Sequence, residues 1–258
     1  MFVYPIIKEA PIAGLSGMGG GTSGLTVVGA AAVIKTPFDY AFNFDSGGLG
    51  EESNGAEVGE YTVIGTPVYE SSGGHGGGGG YLGKAGGIIN TNHIELTGKA
   101  ADPVNDHDQY AASVWYKGTQ GAALGTSYTV YSPFLGDTGG GVWGAFGLEG
   151  GNLALKHSGQ LVDSGQNSVT DGNWHHCGMI WENDGGSDDV KLFVDGELEV
   201  TSGFNTSSNF RLKCIGGNYN YSGLTRPNAL DNLVIWIDRG ITANDMKNAY
   251  NVGGFNGL

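Results

Sequence analysis

The run Asp171–Val200, DGNWHHCGMIWENDGGSDDVKLFVDGELEV, decides how this chain is read. Two adjacent histidines stand beside a cysteine, an acidic, glycine-containing knot follows, and an alternating segment is broken by Asp195-Gly196. Read as a metal or catalytic centre, the run makes an enzyme; read as strand and turn, it makes the framework of a sheet. Successive side chains on a strand point to opposite faces, so His175 and His176 do not converge on one ion. Cys177, Met179 and Trp181 share the His175 side. Zinc ligands recur at C-x2-C or H-E-x-x-H spacing, and neither spacing occurs. The expectation is scaffold: one histidine half-buried and hydrogen-bonded, the other exposed, and Cys177 filling core space.

The second half of the run is a hairpin. Val190, Leu192 and Val194 fall on one face, with Lys191, Phe193 and Asp195 on the other. Asp195-Gly196 supplies the positive φ angles of a two-residue turn. Leu198 and Val200 then alternate with Glu197 and Glu199.

Outward from this hairpin, strand-like segments recur between turn residues. They are YAFNF (Tyr40–Phe44), YTVIG (Tyr61–Gly65), GIINTNHIEL (Gly87–Leu96), YAASVWYK (Tyr110–Lys117), GVWGAFGL (Gly141–Leu148), LALKHS (Leu153–Ser158), FRLKCIGG (Phe210–Gly217) and ALDNLVIWI (Ala229–Ile237). Their spacing suits a sandwich or barrel. Glycine is 50 of 258 residues, about 19% against a usual level of about 7%. Five Trp, twelve Tyr and ten Phe supply a packed core that a disordered chain would lack. One helix is expected near the C-terminus, with Thr242 as cap, Asp245 three residues on, Met246, Ala249 and Tyr250 inside, and Gly253 as terminator. Ser71–Gly80, SSGGHGGGGG, reads as a flexible loop or glycine-lined turn. Residues 1–36 are small, nearly uncharged and glycine-rich, the composition of an extended arm that becomes ordered against a partner. The division is thus 1–36 arm, 37–252 domain, 253–258 tail.

The net charge of −14 comes from 12 basic and 26 acidic residues, and no basic stripe is present. Phosphate contacts need clustered Lys and Arg, so no nucleic-acid partner is expected. The start of the chain lacks a positive n-region, and the run Leu25–Ile34 is too short to span a bilayer. No signal peptide and no membrane insertion are expected, with assembly in the cytoplasm. Two cysteines, Cys177 and Cys214, make no disulfide framework. One bond between them stays open, and two buried thiols are the reading for a reducing compartment.

The order Asn173-Trp174-His175-His176, a hydrophobic strand, an acidic-glycine turn, then Leu192-Phe193-Val194-Asp195-Gly196, resembles the "W-H-H-V … L-Y-V-D-G" signature. That signature belongs to the laminin-G-like jelly rolls of the concanavalin A-like lectin/glucanase superfamily. Phe42–Asp45, Tyr110–Lys117, Cys214–Gly217, Leu230–Trp236 and Ile241–Tyr250 resemble other family segments in the same order, so the resemblance covers residues 38 to 252. It implies an all-β fold: a two-sheet antiparallel jelly-roll sandwich with an extended N-terminal arm and one short C-terminal helix. Asn232 stands where the family often has Glu, and Cys177 where it has Val.

The resemblance also implies a calcium site at a rim, near Glu51, Glu52 and Asn54 in a turn that looks like the family's, with Asp231 nearby. Such a loop offers several of the six to eight oxygens calcium takes. A plain acidic turn, plus an Asp capping backbone amides, is the alternative. Asn218, Tyr219, Asn220 and Tyr221 place two rings on one face of an extended run. A protein contact, packing beneath a loop and glycan stacking are the three readings, in that order. Glycosidases of the superfamily carry paired carboxylates as E-x-D-x-x-E or E-x-D-x-E; no such spacing occurs, and no enzyme is expected. Arm and domain together look similar to virion structural proteins of tailed bacteriophages. The expected function is a non-enzymatic virion component, a capsid decoration or tail/fibre protein. Its partners would be other virion proteins, further copies of the chain through the arm, and a host surface glycan. The alternative is a free calcium-dependent carbohydrate-binding lectin, with Ca2+ as the sole cofactor.

Overall fold

The structure is a computed structural model that describes residues 38–42, 44, 61–65, 68–70, 74–77, 80–82, 92–119, 133–137, 144–157, 160–183, 188–204, 211–216 and 229–253. In chain order its strands are β1 (Tyr40–Phe42), β2 (Tyr61–Gly65), β3 (Val68–Glu70), β4 (Gly80–Leu82), β5 (Asn92–Leu96), β6 (Gln109–Lys117), β7 (Pro133–Gly136) and β8 (Gly144–Glu149). There follow β9 (Asn152–His157), β10 (Gln160–Ser168), β11 (Trp174–Glu182), β12 (Asp188–Val194), β13 (Glu197–Phe204), β14 (Cys214–Ile215) and β15 (Ala229–Ile237), then the helix α1 (Ala243–Val252).

Two antiparallel sheets result. The first runs β13-β12-β11-β6-β15-β4-β3, with β1 also paired to β15; the second runs β10-β9-β8-β7-β14-β5-β2. Alternation explains how each strand contributes. On β11, Cys177, Met179 and Trp181 enter the core between the sheets, while Ile180 lies on the outer face. On β12, Val190, Leu192 and Val194 go inward and Phe193 outward. On β6, Tyr110, Ala112, Val114 and Tyr116 go inward and Ala111 outward. Burying a side chain of this size stabilises the fold by about 1.5–3 kcal/mol each, so the inward rows fix the register: a slip of one residue would expose all of them.

Strand β15 breaks that alternation once. Leu230 and Leu233 both point inward although three residues apart, and the pairing with β6 shifts between Asp231 and Val234. Asn232 absorbs the extra residue at φ +47. Asn is among the few non-glycine types that adopt the left-handed region at low cost, which suits it to a bulge.

The outer face of the first sheet has a second, smaller core. Ala41, Ala111, Ile180, Phe193, Val234 and Trp236 are covered by Ile241, Met246 and Ala249. The helix forms where expected. Thr242 and Asp245 make a reciprocal capping box, and Gly253 closes the C-terminus at φ +73. Two glycines let α1 come close. A Cβ at Gly178 would sit 3.0 Å from the Met246 sulfur, and one at Gly196 would sit 2.9 Å from Tyr250 Cβ.

The hairpin turn is as expected, with Asp195 at φ +51 and Gly196 at φ +79. Both cysteines are buried and neither is in a disulfide. Strands β3, β4, β7 and β10, on the other hand, had no counterpart among the expected segments, and β4 begins at Gly80, inside the run read as a loop. The expected arm, residues 1–36, lies outside the described residues, as do residues 254–258 of the tail.

Gly196→Ala combines a left-handed backbone position with a 2.9 Å approach to Tyr250 Cβ. It is expected to lower unfolding free energy by about 1–3 kcal/mol, read as a shift in urea midpoint. A loss below about 0.5 kcal/mol would mean that α1 does not rest on this turn.

Candidate functional site

The histidine pair divides between two environments. The His175 ring lies between two carboxylates, with Nδ1 2.9 Å from Asp195 Oδ2 and Nε2 3.1 Å from Asp171 Oδ1. Each carboxylate is itself held by a turn. Asp171 Oδ1 accepts from the Asn173 amide at 2.8 Å, and Asp195 Oδ1 accepts from the His176 amide at 2.9 Å. Hydrogen bonding to Asp195 raises the His175 pKa above its usual value, against the opposing effect of burial. The Asn173 backbone and side chain, then His175, hold Asp171 down to about 2. For Asp195, burial works against ionisation, but the bonds from His175 and the His176 amide outweigh it and the pKa lies below the usual range. His175 therefore clamps the 171–173 turn to the hairpin turn, and its protonated form, which donates from both nitrogens, is the one these carboxylates favour. With both nitrogens occupied by carboxylates, it has none left to serve as a general base.

His176 corrects the expectation that the second histidine is exposed. Its side chain is on the outer face, yet the residue is only 2% exposed. It pairs across from Trp115 on β6, with ring centroids 5.4 Å apart, and Tyr250 of α1 lies 6.1 Å away. An outer face is solvent-exposed only until a helix packs on it, and α1 does so here. Burial lowers the His176 pKa to about 4, so the ring is neutral, and its Nδ1 has no hydrogen-bond partner.

A third histidine, His75, joins this group from the glycine-rich run. Its ring stacks on Trp115 at 3.4 Å and meets Trp174 edge-on at 6.0 Å. Nδ1 lies 3.0 Å from the carbonyl of Gly253, just beyond α1, to which it donates in one tautomer. The His75 amide donates to Asp231 Oδ2 at 2.7 Å, and the Asn232 amide to Asp231 Oδ1 at 2.7 Å. Burial lowers the His75 pKa, opposed by the bond to Gly253. Sequence reasoning passed over His75 and over the position of Tyr250. The only signal in the sequence was a lone imidazole inside a glycine run, which does not say where the ring goes.

Of the residues singled out from the sequence, Asp231 is fully buried and receives the two backbone amides at the β15 bulge. Glu51, Glu52 and Asn54 lie outside the described residues, as do Asn218, Tyr219, Asn220 and Tyr221. Among the described residues, no three His, Cys, Asp or Glu side chains group to hold a metal ion. Among the same residues, no helix is long and apolar enough to cross a membrane.

No family model matches the sequence. No curated protein matches it either. Solved structures share its architecture. Domain 4 of AbnA, a GH43 extracellular arabinanase from Geobacillus stearothermophilus solved with arabinotriose, aligns at TM-score 0.53 and 20% identity, over 81% of this chain and 96% of that one. The binding domain of Paraclostridial Mosquitocidal Protein 1 aligns at TM-score 0.53 and 13% identity, over 83% and 52%. The botulinum neurotoxin serotype D binding domain aligns at TM-score 0.53 and 13% identity, over 83% and 50%. The chain spans about half the length of the two toxin domains. It is a two-sheet jelly-roll-type sandwich, the architecture these binding domains share.

The clamp predicts a pH-dependent mutant. His175 has a raised pKa, so its contribution is full below about pH 6.5 and is lost as pH rises through the folded value. Asp171 and Asp195 have lowered values, so theirs is full above about pH 4 and is lost as pH falls through the folded values. The clamp is complete between those limits. Asp195→Asn is expected to cost about 1–2 kcal/mol at pH 5.5 and less at pH 8.5, measured by urea unfolding at both. An equal cost at the two values would remove the ionic part of the account.

Proposed function

We propose that the chain is a non-enzymatic binding module whose jelly roll makes protein or glycan contacts as a structural component of a bacteriophage virion. The observation that carries the binding reading is its match to nearly all of an arabinase domain solved with arabinotriose, 96% of that chain. The histidine pair adds support, since the chemistry that would have made the opening run catalytic is used up in packing and ion pairing. Placement in a virion, as decoration or tail/fibre protein, is supported by the small-residue composition of residues 1–36 ahead of a glycine-rich sandwich. In that setting the arm lies over neighbouring copies, the sandwich faces outward, and assembly takes place in the host cytoplasm.

In a second reading the chain is a free calcium-dependent lectin; the same arabinotriose complex supports its sugar-binding part. The two separate on one set of measurements. For the virion component, the full chain should self-associate in size-exclusion chromatography and lose this on deletion of residues 1–36. Mass spectrometry of purified particles should also find the chain. For the lectin, the full chain should be monomeric, with a Tm raised by Ca2+ and by an arabino-oligosaccharide and returned by EDTA. Titration calorimetry with arabino-oligosaccharides, alongside a reducing-sugar assay, tests the module itself. Release of reducing ends that tracks the purified chain would overturn the non-enzymatic reading.

A further inference from the structure

We propose that α1 is an acid-released clasp on the outer face of the first sheet, with His176 as the group that releases it. The helix rests on that face at two places. Met246 and Ala249 enter the small apolar core beside Ile180, Phe193 and Trp236. Tyr250 lies over Trp115, with centroids 5.7 Å apart and planes 26° apart, and close to His176 at 6.1 Å. His176 is thus the titratable side chain of the sheet beneath the last turn of the helix, while His75 meets the Gly253 carbonyl just beyond it. It is 2% exposed, its Nδ1 lacks a partner, and its amide is fixed to Asp195. A second proton on this ring would leave a charge in an apolar, aromatic pocket with nowhere to hydrogen-bond while the helix stays down. Lifting the last turn lets water reach the ring.

The charged and titratable groups around His176 do not supply that partner. Asp195, in the hairpin turn, raises the His176 pKa, but its oxygens are taken by His175 and by the His176 amide. From the 74–77 segment, His75 pushes it down. On α1, Lys247 is paired with Glu197 of β13 at 2.5 Å, and Asp245 is used in the capping box at the far end. On β6, Lys117 is exposed, two residues beyond Trp115. On β15, Asp231 is engaged by the His75 and Asn232 amides.

The sign follows from a folded pKa of about 4 against about 6.5 in an open state. A histidine depressed in the closed form stabilises it fully above about pH 6.5, and that contribution is lost as pH falls toward 4. Between pH 7 and pH 4.5, opening should become roughly 50-fold more favourable.

Hydrogen–deuterium exchange on the full chain, corrected for the intrinsic pH dependence of exchange, tests this. Amides of residues 246–253 should lose protection about 50-fold from pH 7 to pH 4.5, while β6 and β11 amides keep theirs. His176→Phe should remove the pH dependence from the helix without changing the sheet. If His176→Phe does not fold, the wild-type profile still decides, because the clasp requires helix and sheet to part company above the pH of global unfolding. Helix protection that is flat with pH, that falls only together with the sheet, or that falls equally in a folded His176→Phe chain, would overturn the proposal.

Discussion

The structure turns on one carboxylate. Asp195 sits at a left-handed turn position, accepts the His176 amide through one oxygen and meets the His175 ring with the other. That pair of bonds ties the hairpin turn to the start of β11. It closes the end of the ladder in which Cys177, Met179 and Trp181 meet Val194, Leu192 and Val190 across the strand pair. It also brings Gly196 to the place where Tyr250 needs room, so the docking of α1 begins at the same turn. Two adjacent imidazoles thereby receive opposite treatment, one shifted toward its charged form between carboxylates and one held neutral beneath a helix.

Wherever period and turn chemistry agree, the fold was legible in the sequence. The hairpin at Asp195-Gly196, the capped helix from Thr242 to Gly253, and the inward rows of β11 and β12 all follow from alternation, positive φ and capping alone. Strands β3 and β4, three residues each, were not legible, and neither were β7 and β10. β7 is four residues opening on proline, and β10 carries a glycine at φ +66 amid polar residues, so neither shows a period of its own. They are strands because β8 and β9 offer ladders to pair with. Tertiary context of this kind leaves no local mark.

The site was legible only in part. Strand geometry showed that the histidines face apart, and the structure gives them separate environments. Strand geometry did not show which would be exposed, because α1 comes from residues about seventy positions downstream and covers the outer face only in three dimensions. His75 was hidden for a related reason. A glycine run conveys backbone freedom and nothing about destination, and the ring acquires meaning only from Trp115, Asp231 and Gly253. Asp231 shows the reverse case. Its buried carboxylate organises the β15 bulge by accepting two backbone amides, a role that the alternative sequence reading had described.

The central claim is that the histidine pair is scaffold split between two faces, and nitrogen-detected NMR of the imidazoles tests it most directly. The account predicts that His175 titrates above the ordinary histidine value, that His176 stays neutral until about pH 4, and that stoichiometric zinc leaves the pair unperturbed. Two rings titrating together near the ordinary value, or shifting together on addition of one equivalent of zinc, would contradict it.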